Sequence, residues 1–188
     1  MPRPRSDDKR SAILAAATRI IVTQGLSAPT AGIAKAAGIA NGSLFTYFPT
    51  KSDLFNALYL ELKLEMASNA LKNVRESDDL QKQVFQIWQN WTDWALMSSE
   101  KRRALAQLGV SDVITPATRA AASKGMASTA ELMKQVCATG PMRKISIAFV
   151  FTLMNSVAES TIDFMTQDPA NAKKHCREGF DALWRMVA

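Results

Sequence analysis

One glycine constrains this chain more than any other residue. In "TAGIAKAAGIANGSLFTYFP", residues 30–49, Gly38 stands between two short stretches whose small and apolar residues recur at three and four. That periodicity belongs to helices, and a glycine at the junction permits the positive φ of a tight turn. Thr30 is expected to cap the first stretch with its hydroxyl. Ile33 and Ala34 would face inward, Ala36 and Ala37 would let another helix approach, and Ile39 would plug the turn. The second stretch runs from Asn41 to Phe48, where Pro49 stops it. Two helices joined by a four-residue turn with glycine form a helix-turn-helix.

No segment of the chain alternates with period two, so no strand is expected. A first helix spans about Ser6 to Thr23, with Asp7 and Asp8 in its first turn, where carboxylates suit the helix dipole. After Pro49, Ser52 is expected to cap a long helix with Leu54, Phe55, Leu58, Leu62 and Met66 on one face. Residues 80–98 form a further helix carrying three tryptophans, and shorter helices follow between 100 and the break at Gly140-Pro141. Helices at about 142–166 and 169–187 close the chain. The reading is an all-α protein of about nine helices. A three-helix head, residues 1–50, precedes a larger helical body, residues 51–188.

The net charge of +6 is placed unevenly. Through Asn56 there are seven Lys and Arg against three Asp and Glu; the rest of the chain is nearly balanced, 16 against 14. A basic head on a near-neutral body suits a polyanion. The run Ile145–Met154 falls short of the roughly 20 residues of a membrane helix, and no apolar segment follows "MPRPRSDDKR" to make a signal peptide. A cytoplasmic protein without membrane attachment is expected. Cys137 and Cys176 lack a C-x-x-C partner and read as free thiols. Phosphate loop, metal-ligand spacing and nucleophile–base pattern are all missing, so no catalytic residue, metal or cofactor is assigned. The lone histidine, His175, reads as a solvated surface group.

A helix that enters the DNA major groove needs short side chains at its N-terminus, so that its backbone can approach the bases. Asn41, Gly42 and Ser43 meet that need. Phosphate contacts, which position without reading sequence, fall to Thr30, Thr46, Tyr47 and Lys51. Arg3 and Arg5 are candidates for an arm into the minor groove. Phe45 and Phe48 read mainly as core. The stretch "GIAKAAGIANGSLFTYFPTKSDLF" resembles the DNA-binding signature of the TetR family of bacterial transcriptional regulators, and the likeness covers about residues 9–60. Tyr47-Phe48, Lys51 and Leu54 fall in register with the Gly38 turn. Phe45 departs from the pattern, standing where many members have Tyr. The resemblance implies an all-α regulator of operator DNA, most commonly a repressor, whose body dimerises through its last two long helices and holds an effector pocket.

For the body, the residues suggest where an effector would bind. Trp88, Trp91 and Trp94 fall within an arc of about 120° on one helix. They form either a bulky core seam or an aromatic wall for a flat, apolar or cationic ligand. Tyr59 and Lys63 would supply polar handles, with Phe151 and Met154 opposite and Asn155 at the edge. On the last helix Ala172, Cys176, Gly179, Phe180, Leu183 and Val187 share a face suited to a four-helix interface in a homodimer. Short stretches such as "QLGVSD" and "IDFMTQDPA" are similar to parts of regulators of multidrug efflux. The favoured function is a sequence-specific DNA-binding regulator, released from a palindromic operator by a small molecule. A sequence-blind DNA binder and a small helical enzyme are the alternatives.

Overall fold

The computed structural model describes residues 5–188, with side chains from Asp7 onward. Among these residues there are ten α-helices and no strand. They are α1 (Arg5–Gln24), α2 (Thr30–Ala36), α3 (Asn41–Tyr47), α4 (Lys51–Ala70), α5 (Leu80–Met97), α6 (Ser99–Gly109), α7 (Pro116–Gly125), α8 (Ala127–Cys137), α9 (Ile147–Gln167) and α10 (Ala172–Val187). A 3-10 turn, Pro169–Asn171, separates the last two. The all-α expectation holds, and the short helices expected after residue 100 are three, α6 to α8. Two compact units divide the chain: one runs through Leu64 and takes in Ser99–Ser123, the other joins Glu65–Ser98 to Lys124–Ala188.

The first unit is built on α1, whose Ile13, Leu14, Ala17 and Ile21 are fully buried. This stripe packs against α2 and α6, where Ile33, Ala34, Ala104 and Leu108 are equally buried. α2 ends in a Schellman motif: Ile39 N–H donates to Ala34 O at 3.0 Å and Gly38 N–H to Lys35 O at 3.1 Å, with Gly38 at φ +69°. Both helix starts differ from expectation. Pro29, not Thr30, is the extended residue before α2, because its fixed φ of −70° suits that position. α4 begins two residues early, since Thr50, not Ser52, caps it in a reciprocal pair with Asp53. Asp53 N–H donates to Thr50 Oγ1 at 3.1 Å, while Thr50 N–H donates to Asp53 Oδ2 at 3.0 Å.

Within the same unit a side-chain amide ties α4 to the loop before α7. Asn56 donates through Nδ2 to Val113 O at 2.9 Å and accepts from Thr115 N–H at 2.9 Å. Arg119 braces that loop from its other side, donating to Gly109 O at 2.9 Å and Ser111 O at 3.0 Å. Its guanidinium lies 5.9 Å from the centroid of the Tyr59 ring.

The second unit centres on α5, which starts at the Asp79 cap, where Lys82 N–H donates to the carboxylate at 2.9 Å. Val84, Ile87, Trp88, Trp91, Trp94 and Ala95 form its buried stripe. α5 packs against α8, α9 and α10, and α9 packs along α10. The α9–α10 crossing is close because Gly179 has no side chain: a Cβ there would collide with the Thr161 side chain. α9 has 21 residues, and an 18-residue window of it reaches a mean hydropathy of 1.2, apolar and long enough by those two measures alone to cross a membrane. Polar Thr152, Asn155, Ser156, Glu159 and Asp163 are nevertheless exposed along it. Phe149 and Phe164 are also exposed, at 52% and 60%.

Replacing Gly179 by Ala is expected to destabilise the protein by about 1–3 kcal/mol through overpacking. Combining it with Thr161→Ala, which removes the colliding atoms, should recover most of that loss. Chemical denaturation of the two single variants and the double variant measures the coupling.

Candidate nucleic-acid interface and ligand cavity

α3 is held by two side chains four residues apart. Leu44 is fully buried and Phe48 is 3% exposed, so these two form the inner face of the helix. Phe45, expected in the core, is instead 39% exposed. One residue from Leu44 is about 100° around a helix, and that rotation takes Phe45 off the inner face. Leu44 was the anchor that sequence reasoning missed; its i, i+4 relation to Phe48 was the available signal.

With that anchoring, Asn41, Gly42, Ser43 and Thr46 are exposed and Tyr47 is half-buried. Gly42 has no packing reason to be glycine: a Cβ built there meets nothing within 4 Å. Its φ is negative, so no turn requires it either. Thr30 is half-buried in the first turn of α2. Lys51 opens α4 with its Nζ 5.4 Å from the Phe55 ring centroid, a packing that holds the stem against the unit. Arg3 lies outside the described residues, and Arg5 is described only as the first residue of α1.

In the second unit the three indoles do three different jobs. Trp88 is fully buried and donates through Nε1 to Cys176 O at 2.9 Å. It meets Trp91 edge to face, centroids 6.0 Å apart. Trp94 donates to Glu65 Oε1 at 3.0 Å. Only Trp91 lines the cavity expected nearby, together with Phe151, Met154 and Asn155; Met66 and Met126 complete much of its wall. Trp88 therefore does not reach this cavity, because its N–H is committed to α10. Tyr59 and Lys63 do not line it either; both belong to the first unit. Met126 carried no sequence signal, since it precedes α8 outside any periodic pattern.

His175 is not a solvated surface group. Nε2 lies 3.0 Å from Asp168 Oδ2 and Nδ1 lies 3.4 Å from Glu178 Oε2, with the side chain 20% exposed. The hydrogen bond from His175, followed by one from Asn171, holds the Asp168 carboxyl below its usual range. Among the described residues no group of three or more His, Cys, Asp or Glu is arranged to hold a metal. Both cysteines are free and buried.

A helix-turn-helix whose second helix offers small polar residues to solvent, on a frame of helices, defines a DNA-binding regulator. Residues 13–58 match the model of the bacterial regulatory proteins of the tetR family. The match covers α2, α3 and the start of α4. A protein from Shewanella sp. PV-4, described as a tetR family transcription regulator, is 27% identical with a TM-score of 0.84, over 94% of this chain and 96% of that one. A TetR family transcription regulator from Marinobacter aquaeolei VT8 gives 23% and 0.83, over 99% and 98%. The regulator LfrR of Mycobacterium smegmatis, solved in complex with proflavine, shares the fold at 15% identity and a TM-score of 0.69, over 96% and 98%.

Burial raises the pKa of the Cys137 thiol above its ordinary value, and burial is also the first cause of the rise at Cys176, partly offset by the Thr92 hydroxyl. A folded-state pKa above the unfolded value favours the protonated form, so this contribution to stability is complete below the unfolded pKa. It is lost as pH rises through the folded value. Maleimide labelling at neutral pH is expected to be slow for both thiols and fast after unfolding. The Cys137→Ser/Cys176→Ser protein should show a shallower loss of stability at alkaline pH than the wild type.

Proposed function

We propose that this protein is a repressor that binds a palindromic operator as a homodimer and is released from it by a small-molecule effector. The functional boundary falls near residue 50: residues 1–50 carry the DNA head, and residues 51–188 carry effector binding and dimerisation. The observation that carries the reading is Gly42. It is exposed, unpacked and in ordinary helical conformation on the first turn of α3, so a side chain is missing there for the sake of something outside the protein. A DNA backbone or base edge approaching the helix N-terminus is that partner.

Asn41 and Ser43 flank it as base readers. Thr30, Thr46, Tyr47 and Lys51, with Arg3 and Arg5, act as phosphate or minor-groove contacts. The dimer reading is supported by exposed Phe149 and Phe164 on α9. A groove between α9 and α10, lined by Val157, Phe164 and Ala182, continues this apolar surface. A second copy covering this face doubles the number of heads, which a palindrome requires. The effector reading rests on the cavity beside Trp91 and on the proflavine bound by the fold relative. Turnover is not part of the proposal.

Duplexes selected from a random pool by the wild-type protein supply the operator for the test. Gly42→Ala is expected to leave the fold as stable or more so, by about 0.5–1 kcal/mol, yet to weaken operator binding. Unchanged operator affinity in a stable Gly42→Ala protein would remove the close-approach role. Lys51→Ala should lower the slope of log affinity against log salt by about one unit while weakening all duplexes alike. Sedimentation should give a dimer alone and on DNA; a monomer in both conditions would overturn the palindromic reading. Competition by unrelated duplex as effective as by operator would identify a sequence-blind binder instead.

A further inference from the structure

The cavity beside Trp91 combines two properties that limit what can enter it. It is nearly closed, with about 20 Å³ open to water, room for about one molecule. Sites that take a small organic ligand occupy about 300–1,000 Å³. It is also uncharged, since none of its lining side chains ionises, and its polar groups are the Thr129 hydroxyl, the Asn155 amide and the indole N–H of Trp91. We propose that the effector is a neutral, largely apolar molecule with a flat ring, admitted by rotation of the methionine side chains that now fill the space. The inference rests on reading this cavity as the effector site.

The closed state follows from the kind of side chain in the wall. Met66, Met126 and Met154 line it, and each is an unbranched thioether with three rotatable bonds that repacks easily around a guest. Ala67 and Ala70 make the α4 side of the wall, where short side chains leave room for a ring to lie near the helix. The indole of Trp91 and the ring of Phe151 then supply flat apolar surfaces.

Magnitudes decide the charge. Moving an ion from water into such a site costs several kcal/mol even after relaxation. Cation–π contact with an indole returns about 2 kcal/mol when desolvated, which leaves a cation short without a carboxylate. The nearest one along α4, Glu65, is engaged by the Trp94 N–H at 3.0 Å. An anion fares no better, because no Lys or Arg lines the cavity. A neutral guest avoids the desolvation cost and can use the Thr129 hydroxyl or the Asn155 amide for one hydrogen bond.

The test uses the full chain without DNA and three probes of similar size. N-Phenyl-1-naphthylamine is neutral, 8-anilino-1-naphthalenesulfonate carries the same rings with a sulfonate, and proflavine is a flat cation. Tryptophan quenching and probe emission report binding. The neutral probe is expected to bind at least about tenfold more tightly than either charged one, a difference of about 1.4 kcal/mol. Trp91→Phe and the space-filling Ala70→Leu should each weaken it, with folding checked by circular dichroism. A charged probe that binds as tightly, and is weakened by the same variants, would overturn the neutral class while leaving the cavity as the site. Neutral binding indifferent to both variants would remove the cavity reading itself. Failure of the neutral probe to bind wild-type protein up to its solubility limit would also overturn the inference.

Discussion

The head of this protein depends on one residue in a left-handed conformation. Gly38 at φ +69° lets two backbone N–H groups return to the carbonyls that α2 leaves open, so the helix stops at one place and the chain leaves in one direction. A residue with a Cβ would carry a penalty of about 1–2 kcal/mol there. Everything α3 presents follows from that exit. The turn aims the helix, Leu44 and Phe48 fix its rotation, and the remaining surface falls outward without further specification. The exposed side of α3 is in this sense a by-product of two hydrophobic anchors and a turn.

The body distributes its tryptophans on a different principle. An indole is large and apolar but carries one donor that must be satisfied when buried. Trp88 satisfies its donor on the α10 backbone and Trp94 on a carboxylate of α4. These bonds give α5 a fixed rotation against its neighbours, which area alone does not provide. Trp91, between them in sequence, lines the cavity shared with Phe151 and Met154. Its position is held by its neighbours.

Much of this was legible in the sequence, and the exceptions share a cause. The three-and-four periodicity located the helices, and the Gly38 turn with the aromatic–lysine pattern after it located the head. Helix starts were less legible. Thr30 and Ser52 are sound cap residues by type, yet Pro29 and the Thr50–Asp53 pair hold those places, because several candidates stood within three residues and only backbone geometry selects among them. Phe45 against Leu44 was a choice of about 100° of rotation, which composition favours wrongly because the aromatic is larger. Trp88 and His175 were misplaced because their partners, Cys176 O and Asp168, come from the packing of separate helices or from the turn between them. No spacing along the chain encodes that. Tyr59 and Lys63 had helical periodicity in their favour, but periodicity gives a face and not what the face meets.

The Asn56 bridge changes what the loop before α7 is as a physical object. A surface loop ordinarily exchanges its backbone hydrogens freely, because water is their partner. Here the amide of one α4 side chain offers a donor and an acceptor to Val113 O and Thr115 N–H, much as a neighbouring peptide unit would. Residue 115 is exposed, yet its N–H opens only when the bridge to α4 opens. In hydrogen-exchange terms, loop and helix form one cooperative element, and the slowest-exchanging loop amide marks the place where they are joined.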